Sequence, residues 1–243
     1  MELNKIINDK AEITIYDFEV NKKYFDNKRN VLELATLIEA NLFFKPIKID
    51  GWNYELVEVI GGSEKDGILM KRATGIPMRE DINFDIDNYY HAGVWLGYFH
   101  SLSIDGSYVK SFSDFGIPNI LVDYKNKKIT CIDLGEGALK VRDYYYDLLY
   151  FLFGTITSHL KRKTVFNKDC IVKFIEGYSK YSVFKYEKNL FDKNIVKIIG
   201  KWNNSSRRKR TGIIKFYLGY LVLWYYLNFT LKNTLKHLYI EIE

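Results

Sequence analysis

The sequence predicts an α+β protein of two lobes, the first small and β-rich, the second mainly helical. Three observations predict it. The first third carries short apolar runs rich in β-branched and aromatic residues, broken by Gly and Asn turns. From Arg142 onward only helical spacing remains. Between them two short apolar runs, Ile120–Tyr124 and Lys128–Asp133, flank Lys125-Asn126-Lys127, a hairpin pattern with Asn in the turn. The lobes are expected at 1–73 and 74–243, and 243 residues suffice to bury their cores without disulfides.

The elements follow in order. Ala11–Tyr16 is β-rich, and Phe18–Phe25 alternates loosely. Asn30 can cap a helix over Val31–Phe43, with Leu32, Ala35, Leu37, Ile38 and Leu42 as its apolar side. Lys45-Pro46 stops it. Strands are expected over Tyr54–Ile60 and Gly67–Ala73, with turns at Gly61-Gly62-Ser63 and Lys65-Asp66-Gly67. A second helix starts near Asn88 and puts Trp95, Phe99 and Leu102 on one face, with Ala92 and Leu96 beside them. An irregular segment, Ser111–Asn119, leads into the hairpin.

The two cysteines, Cys131 and Cys170, have no CxxC spacing, which argues against a disulfide framework or a zinc site and fits a reducing compartment. The N-terminal residues lack the apolar core of a secretory signal, so a cytoplasmic location is expected. A net charge of +6 favours anionic partners such as nucleotides and phosphorylated or membrane-surface groups, and nothing marks a dedicated nucleic-acid patch. The run Ile213–Leu231 is long enough to span a bilayer and follows the basic cluster Arg207-Arg208-Lys209-Arg210. Lys215, Gly219, Asn228 and several tyrosines interrupt it, so a buried C-terminal helix is expected, with peripheral membrane contact as the alternative.

The chemistry concentrates in Ser111–Asp133. Asp114 stands five residues before Asn119, and an apolar strand, a turn and a second apolar strand lead to Asp133-Leu134-Gly135. Phosphoryl transfer from a nucleotide needs such groups: a carboxylate to meet the acceptor hydroxyl, and two hard oxygen ligands to hold Mg²⁺ against the phosphates. A hairpin brings Asn119 and Asp133, at opposite ends of paired strands, near each other.

These residues resemble the kinase-like superfamily, and within it aminoglycoside phosphotransferase-like and lipopolysaccharide-core-kinase-like proteins. The resemblance rests on Phe112-Ser113-Asp114, where that family has His-Gly-Asp, and on Asn119, Ile132-Asp133-Leu134 and Asp147-Leu148-Leu149. Leu96–Leu102 is similar to its helix ending in Leu-His. The resemblance implies a bilobed protein-kinase-like fold and an ATP- and Mg²⁺-dependent transfer to a hydroxyl-bearing acceptor such as a sugar or glycan. It implies Asp114 as the catalytic carboxylate, Asn119 and Asp133 as metal ligands, and His100 and Asp147 as structural supports. It further implies a nucleotide site made by a first-lobe Lys, by Glu33 as that lysine's partner, and by Met70, Lys71, Arg72 and Ala73 as the segment joining the lobes. The resemblance implies that the residue two before this lysine lines the adenine site; alternation pairs Val20 with Lys22 and Asn21 with Lys23, and Val suits that place better, so Lys22 is favoured, while a strand over Ile13–Phe18 would supply no lysine. Phe112 in place of His, and the lack of a Gly-rich loop in residues 1–20, also fit a rival reading: a kinase-like pseudoenzyme that binds or scaffolds.

Overall fold

The computed structural model describes residues 2–7, 12–16, 20–24, 27–63, 65, 67–80, 85–106, 108–134, 138–162, 167–182, 188–203 and 213–225. The architecture is α+β, as the sequence predicts. Five antiparallel strands, β1 (Glu2–Ile7), β2 (Glu12–Tyr16), β3 (Val20–Tyr24), β6 (Val59–Ser63) and β7 (Gly67–Lys71), form a first sheet in the order β1-β2-β3-β7-β6. Helix α1 (Asn27–Phe43) lies against β6 and β7.

Four expectations for this region are corrected. Helix α1 starts three residues before Asn30, which is therefore a helical residue and not its cap. Its inward face carries Leu37 and Ala40, with Phe44 just beyond its end, whereas Leu32, Ala35, Ile38 and Leu42 face outward. The helix is apolar on two sides, and sequence spacing does not say which side a sheet will cover. The run Tyr54–Ile60 is not one strand. It turns a corner at Val57-Glu58, so that β5 (Trp52–Leu56) joins a second sheet while β6 stays in the first. Gly61, Gly62 and Ser63 are strand residues paired with Leu69, Ile68 and Gly67.

The second sheet combines β4 (Ile47–Ile49), β5, β8 (Ile76–Pro77), β10 (Ile120–Asp123) and β11 (Lys128–Cys131) in the order β4-β5-β11-β10-β8. The expected hairpin is β10-β11, in register from Ile120 opposite Cys131 to Asp123 opposite Lys128. Strand β5 runs parallel to β11, so residues on both sides of position 73 build one sheet. A third, two-stranded sheet pairs β9 (Tyr108–Lys110) with β12 (Val141–Asp143), which places a strand where only helices were expected.

Helices α2 (Asp87–Ser101), α3 (Tyr145–Arg162), α4 (Asp169–Ser179), α5 (Lys188–Asn203) and α6 (Ile213–Tyr225) complete the described fold. Trp95, Phe99, Ala92 and Leu96 of α2 are fully buried, but Leu102 lies past the helix end and is exposed. Among the described residues no helix is long and apolar enough to cross a membrane. The expected helical run 213–231 extends beyond the described residues after 225, and Arg207–Arg210 and Gly135 also lie outside them.

Helices α2 and α4 cross with their backbones nearly touching. A Cβ on Gly93 would come within 2.0 Å of the Phe174 carbonyl oxygen, one on Gly97 within 2.4 Å of that of Tyr178, and one on Gly177 within 2.1 Å of that of Tyr90. Backbone cannot yield as a flexible side chain does. Gly93→Ala is therefore expected to destabilise the protein by about 3 kcal/mol or more, beyond the usual range for overpacking. Urea unfolding measures it, and a loss below about 1 kcal/mol would show that the helices can part.

Candidate active site

In the segment Ser111–Asn119 the backbone donors of Phe112 and Ser113 turn to an acceptor outside it. That acceptor is Asp147, in the first turn of α3 and almost fully buried. Its Oδ2 accepts from the Phe112 N–H at 2.7 Å, and its Oδ1 accepts from the Ser113 N–H and the Ser111 hydroxyl, each at 2.9 Å. His100 Nε2 stands 3.1 Å from Oδ2 on the other side. With its proton on Nε2, His100 donates to Asp147 and accepts from the Tyr178 hydroxyl at Nδ1, 2.9 Å away. Burial pushes the Tyr178 phenol well up, which keeps it a donor. Each oxygen of the buried carboxylate thus meets two donors.

Phe112 is fully buried among Trp95, Phe99 and Phe115, whose ring centroids lie 5.4, 5.9 and 5.5 Å from its own. An apolar ring therefore fills the position where the resembled family has His. Ser113 takes a left-handed φ of 72°, a conformation glycine adopts without steric cost. It stands where that family has Gly.

This loop presents Asp114 half-buried. The Tyr150 hydroxyl, one turn after Asp147 on α3, donates to Asp114 Oδ1. Asn119 closes the loop, its Nδ2 donating to the Asp114 carbonyl at 2.9 Å. The Asn119 carbonyl in turn accepts from the Ile132 N–H at 2.9 Å, so the end of β11 lies beside Asn119 and Asp133 follows one residue on. Asp133 is exposed, with φ 57°. Asp114, Asn119 and Asp133 are thereby gathered at one end of the hairpin.

Among the described residues no cluster of three His, Cys, Asp or Glu could hold a metal by itself. A nucleotide-bound Mg²⁺ needs less, because phosphate and water oxygens supply most of its ligands. The donor set fits: with Nδ2 bound to the Asp114 carbonyl, the side-chain acceptor of Asn119 is Oδ1, and Asp133 adds an exposed carboxylate.

The first-lobe residues are less gathered. Strand β3 carries both candidate lysines, Lys22 opposite Leu69 and Lys23 opposite Ile68 on β7; their side chains lie outside the described structure. Glu33 lies on α1 on the side of the buried Leu37 and Ala40. Met70 and Lys71 end β7, and Arg72 and Ala73 lead out of it. A cleft of about 550 Å³ opens beside this exit on the β5 side, lined by Asn41, Glu55, Glu58, Lys71, Arg72 and Thr130 among others, but not by Asp114, Asn119 or Asp133. Thr74 donates to Asp123 at 2.5 Å, and a Cβ on Gly75, at φ 109°, would meet the Val122 carbonyl oxygen at 2.7 Å. The connection between lobes is thus fastened directly to β10.

Sequence reasoning gave no role to Ser111, Ser113, Tyr150 or Tyr178. The i, i+3 spacing of Asp147 and Tyr150 was the available signal for one of them. Cys131 is fully buried, and burial pushes its thiol well up, as expected of a packing residue.

No family model matches this chain, and no curated relative does. Solved structures match in shape. The ADP-bound aminoglycoside phosphotransferase APH(2'')-Ib superposes over 90% of this chain and 92% of its own, at a TM-score of 0.57 and 15% identity. The chain has an aminoglycoside phosphotransferase-like, kinase-like fold. The streptomycin-ATP ternary complex of APH(2'')-IIa shares this kinase-like fold over 89% of this chain and 93% of its own, at a TM-score of 0.56 and 15% identity. A choline/ethanolamine kinase family protein from Mesorhizobium loti covers 90% and 87%, at 0.52 and 8%.

Asp147→Ala would strand three donors of the loop and leave the His100 Nε2–H without its acceptor. The expected loss is about 3–5 kcal/mol, measured by urea unfolding. Ser113→Gly should hold or raise the unfolding midpoint, since it removes a left-handed side chain. The Asp123 carboxyl is held below its usual range, first by the Thr74 hydroxyl and then by Asn126. A depressed carboxylate stabilises the fold above its unfolded pKa, and that contribution disappears as pH falls through the folded value. Thr74→Val should therefore cost about 1 kcal/mol at neutral pH. The difference from wild type should close below about pH 4.

Proposed function

We propose that this protein is an ATP- and Mg²⁺-dependent phosphotransferase that moves the γ-phosphoryl group to a hydroxyl of a sugar or glycan acceptor. The observation that carries the reading is the closed loop in which Asn119 binds the Asp114 carbonyl while its own carbonyl holds Ile132, beside Asp133. The similar solved structures include one bound to ADP and one bound to streptomycin and ATP, which supports a nucleotide site in the same fold.

In this reading Asp114 orients the acceptor hydroxyl and takes its proton. The Tyr150 hydroxyl donates to Asp114 Oδ1 and helps to fix the carboxylate's orientation. Asn119 Oδ1 and the Asp133 carboxylate hold Mg²⁺, which when bound neutralises charge between the phosphates. Lys22, with Glu33 beside it, steadies the α- and β-phosphates, and Lys23 is its rival for that place. Backbone groups from Met70 to Ala73 bind the adenine. Positioning and charge neutralisation supply the catalysis. The basic balance of +6 supports an anionic acceptor or one presented at a membrane surface.

ATP with Mg²⁺ at a hundredfold excess over Kd should raise the unfolding midpoint by roughly 5–10 °C. Asp133→Asn should remove the Mg²⁺-dependent part of that shift, and an unchanged shift would overturn the metal assignment. Asp114→Asn should keep the shift and lower phosphoryl transfer by roughly 10²–10⁴-fold. Of Lys22→Ala and Lys23→Ala, the first should weaken nucleotide binding more.

A further inference from the structure

The cleft of about 550 Å³ beside the exit from β7 has the size of a small-molecule site. It meets the β5–β11 pair at Glu55, Lys128 and Thr130. These three side chains share one face of the second sheet, because Thr130 stands opposite Glu55 and two residues from Lys128. Lys128 follows the hairpin turn, whereas Asn119 and Asp133 stand at the other end of the hairpin. The cleft is thus set apart from the gathered carboxylates. Phe44, just past α1, joins Leu56 and Val57 in giving it an apolar side.

Two features of the lining select its occupant. The first is charge. Lys71 and Lys128 are matched by Glu58 at 3.4 Å and Glu55 at 3.5 Å. Arg72 and Lys45 also line the cleft and have no acidic partner among the described residues; Lys45 reaches the Asn41 carbonyl at 3.3 Å. The described lining therefore carries an excess of positive charge. The second feature is Thr130, which is 3% exposed and whose hydroxyl has no hydrogen-bond partner among the described residues. A buried hydroxyl is costly to leave unbonded, and a ligand oxygen would supply its partner. The planar fork of an arginine matches phosphate oxygens in pairs. We infer that this cleft binds a small organic phosphate. Arg72 and Lys45 hold the phosphate, an oxygen of the molecule accepts from Thr130, and its carbon part lies against Phe44, Leu56 and Val57. This goes beyond the phosphotransferase reading and does not depend on it.

The test is calorimetric titration of the full chain, without ATP or Mg²⁺, with phenyl phosphate. This monoester has neither a base nor an alcohol, so it mimics neither nucleotide nor acceptor. Binding is expected, tighter than that of inorganic phosphate, and none is expected for phenol. Arg72→Gln, at an exposed position, should weaken it roughly tenfold or more. Thr130→Val should weaken it roughly threefold or more. The same change should hold or raise the urea midpoint of the free protein, since it removes a hydroxyl that nothing meets. Lys22→Ala, on the nucleotide side, should leave the affinity unchanged. No binding, or binding indifferent to Arg72→Gln or to Thr130→Val, would overturn the inference. So would a loss with Lys22→Ala, which would put the probe in the nucleotide site.

Discussion

One buried carboxylate holds the site together. Asp147 receives four donors on two oxygens, and three of them belong to consecutive residues of the loop that presents Asp114. An anion this deep is tolerable only when its lone pairs are met, so the loop's conformation and the burial of Asp147 require each other. His100 completes the arrangement and passes it on to Tyr178 on α4, which ties the loop to the α2–α4 crossing. Tyr150 applies the same logic one turn later on α3, reaching the Asp114 side chain while Asp147 holds the backbone before it.

The second sheet carries this local order outward. Because β5 pairs with β11 and the exit from β7 is fastened to β10 through Thr74 and Gly75, the loop, the hairpin and the connection between lobes form one framework. Beneath it the rings of Phe44, Trp95, Phe99, Phe112 and Phe115 pack edge-on and stacked, and Trp95 donates to the Glu55 carbonyl at 2.9 Å. Phe112 fits that apolar environment, where an imidazole would need a partner.

What could be read from the sequence follows from how local each signal is. The β10–β11 hairpin was legible because its turn and its two apolar runs are contiguous. The spacing of Asp114, Asn119 and Asp133 was legible for the same reason. The buried side of α1 was not, because Leu32, Ile38 and Leu42 make as good an apolar stripe as Leu37 and Ala40, and only the sheet chooses between them. The corner at Val57-Glu58 left no mark either: the run through it is uniformly β-forming, and its division between two sheets is set by pairing with β11 and β7. Tyr150 was hidden by abundance, one tyrosine among 20.

The central claim is that Asp114 delivers an acceptor hydroxyl to a bound nucleotide. Its most direct measurement is transfer of label from γ-labelled ATP into a fractionated extract of the source cells, comparing wild type with Asp114→Asn. The account predicts a labelled, non-protein acceptor that appears with wild type and is absent with the variant. Equal labelling by both proteins, or none by either in a preparation that binds Mg²⁺ and ATP, would contradict it.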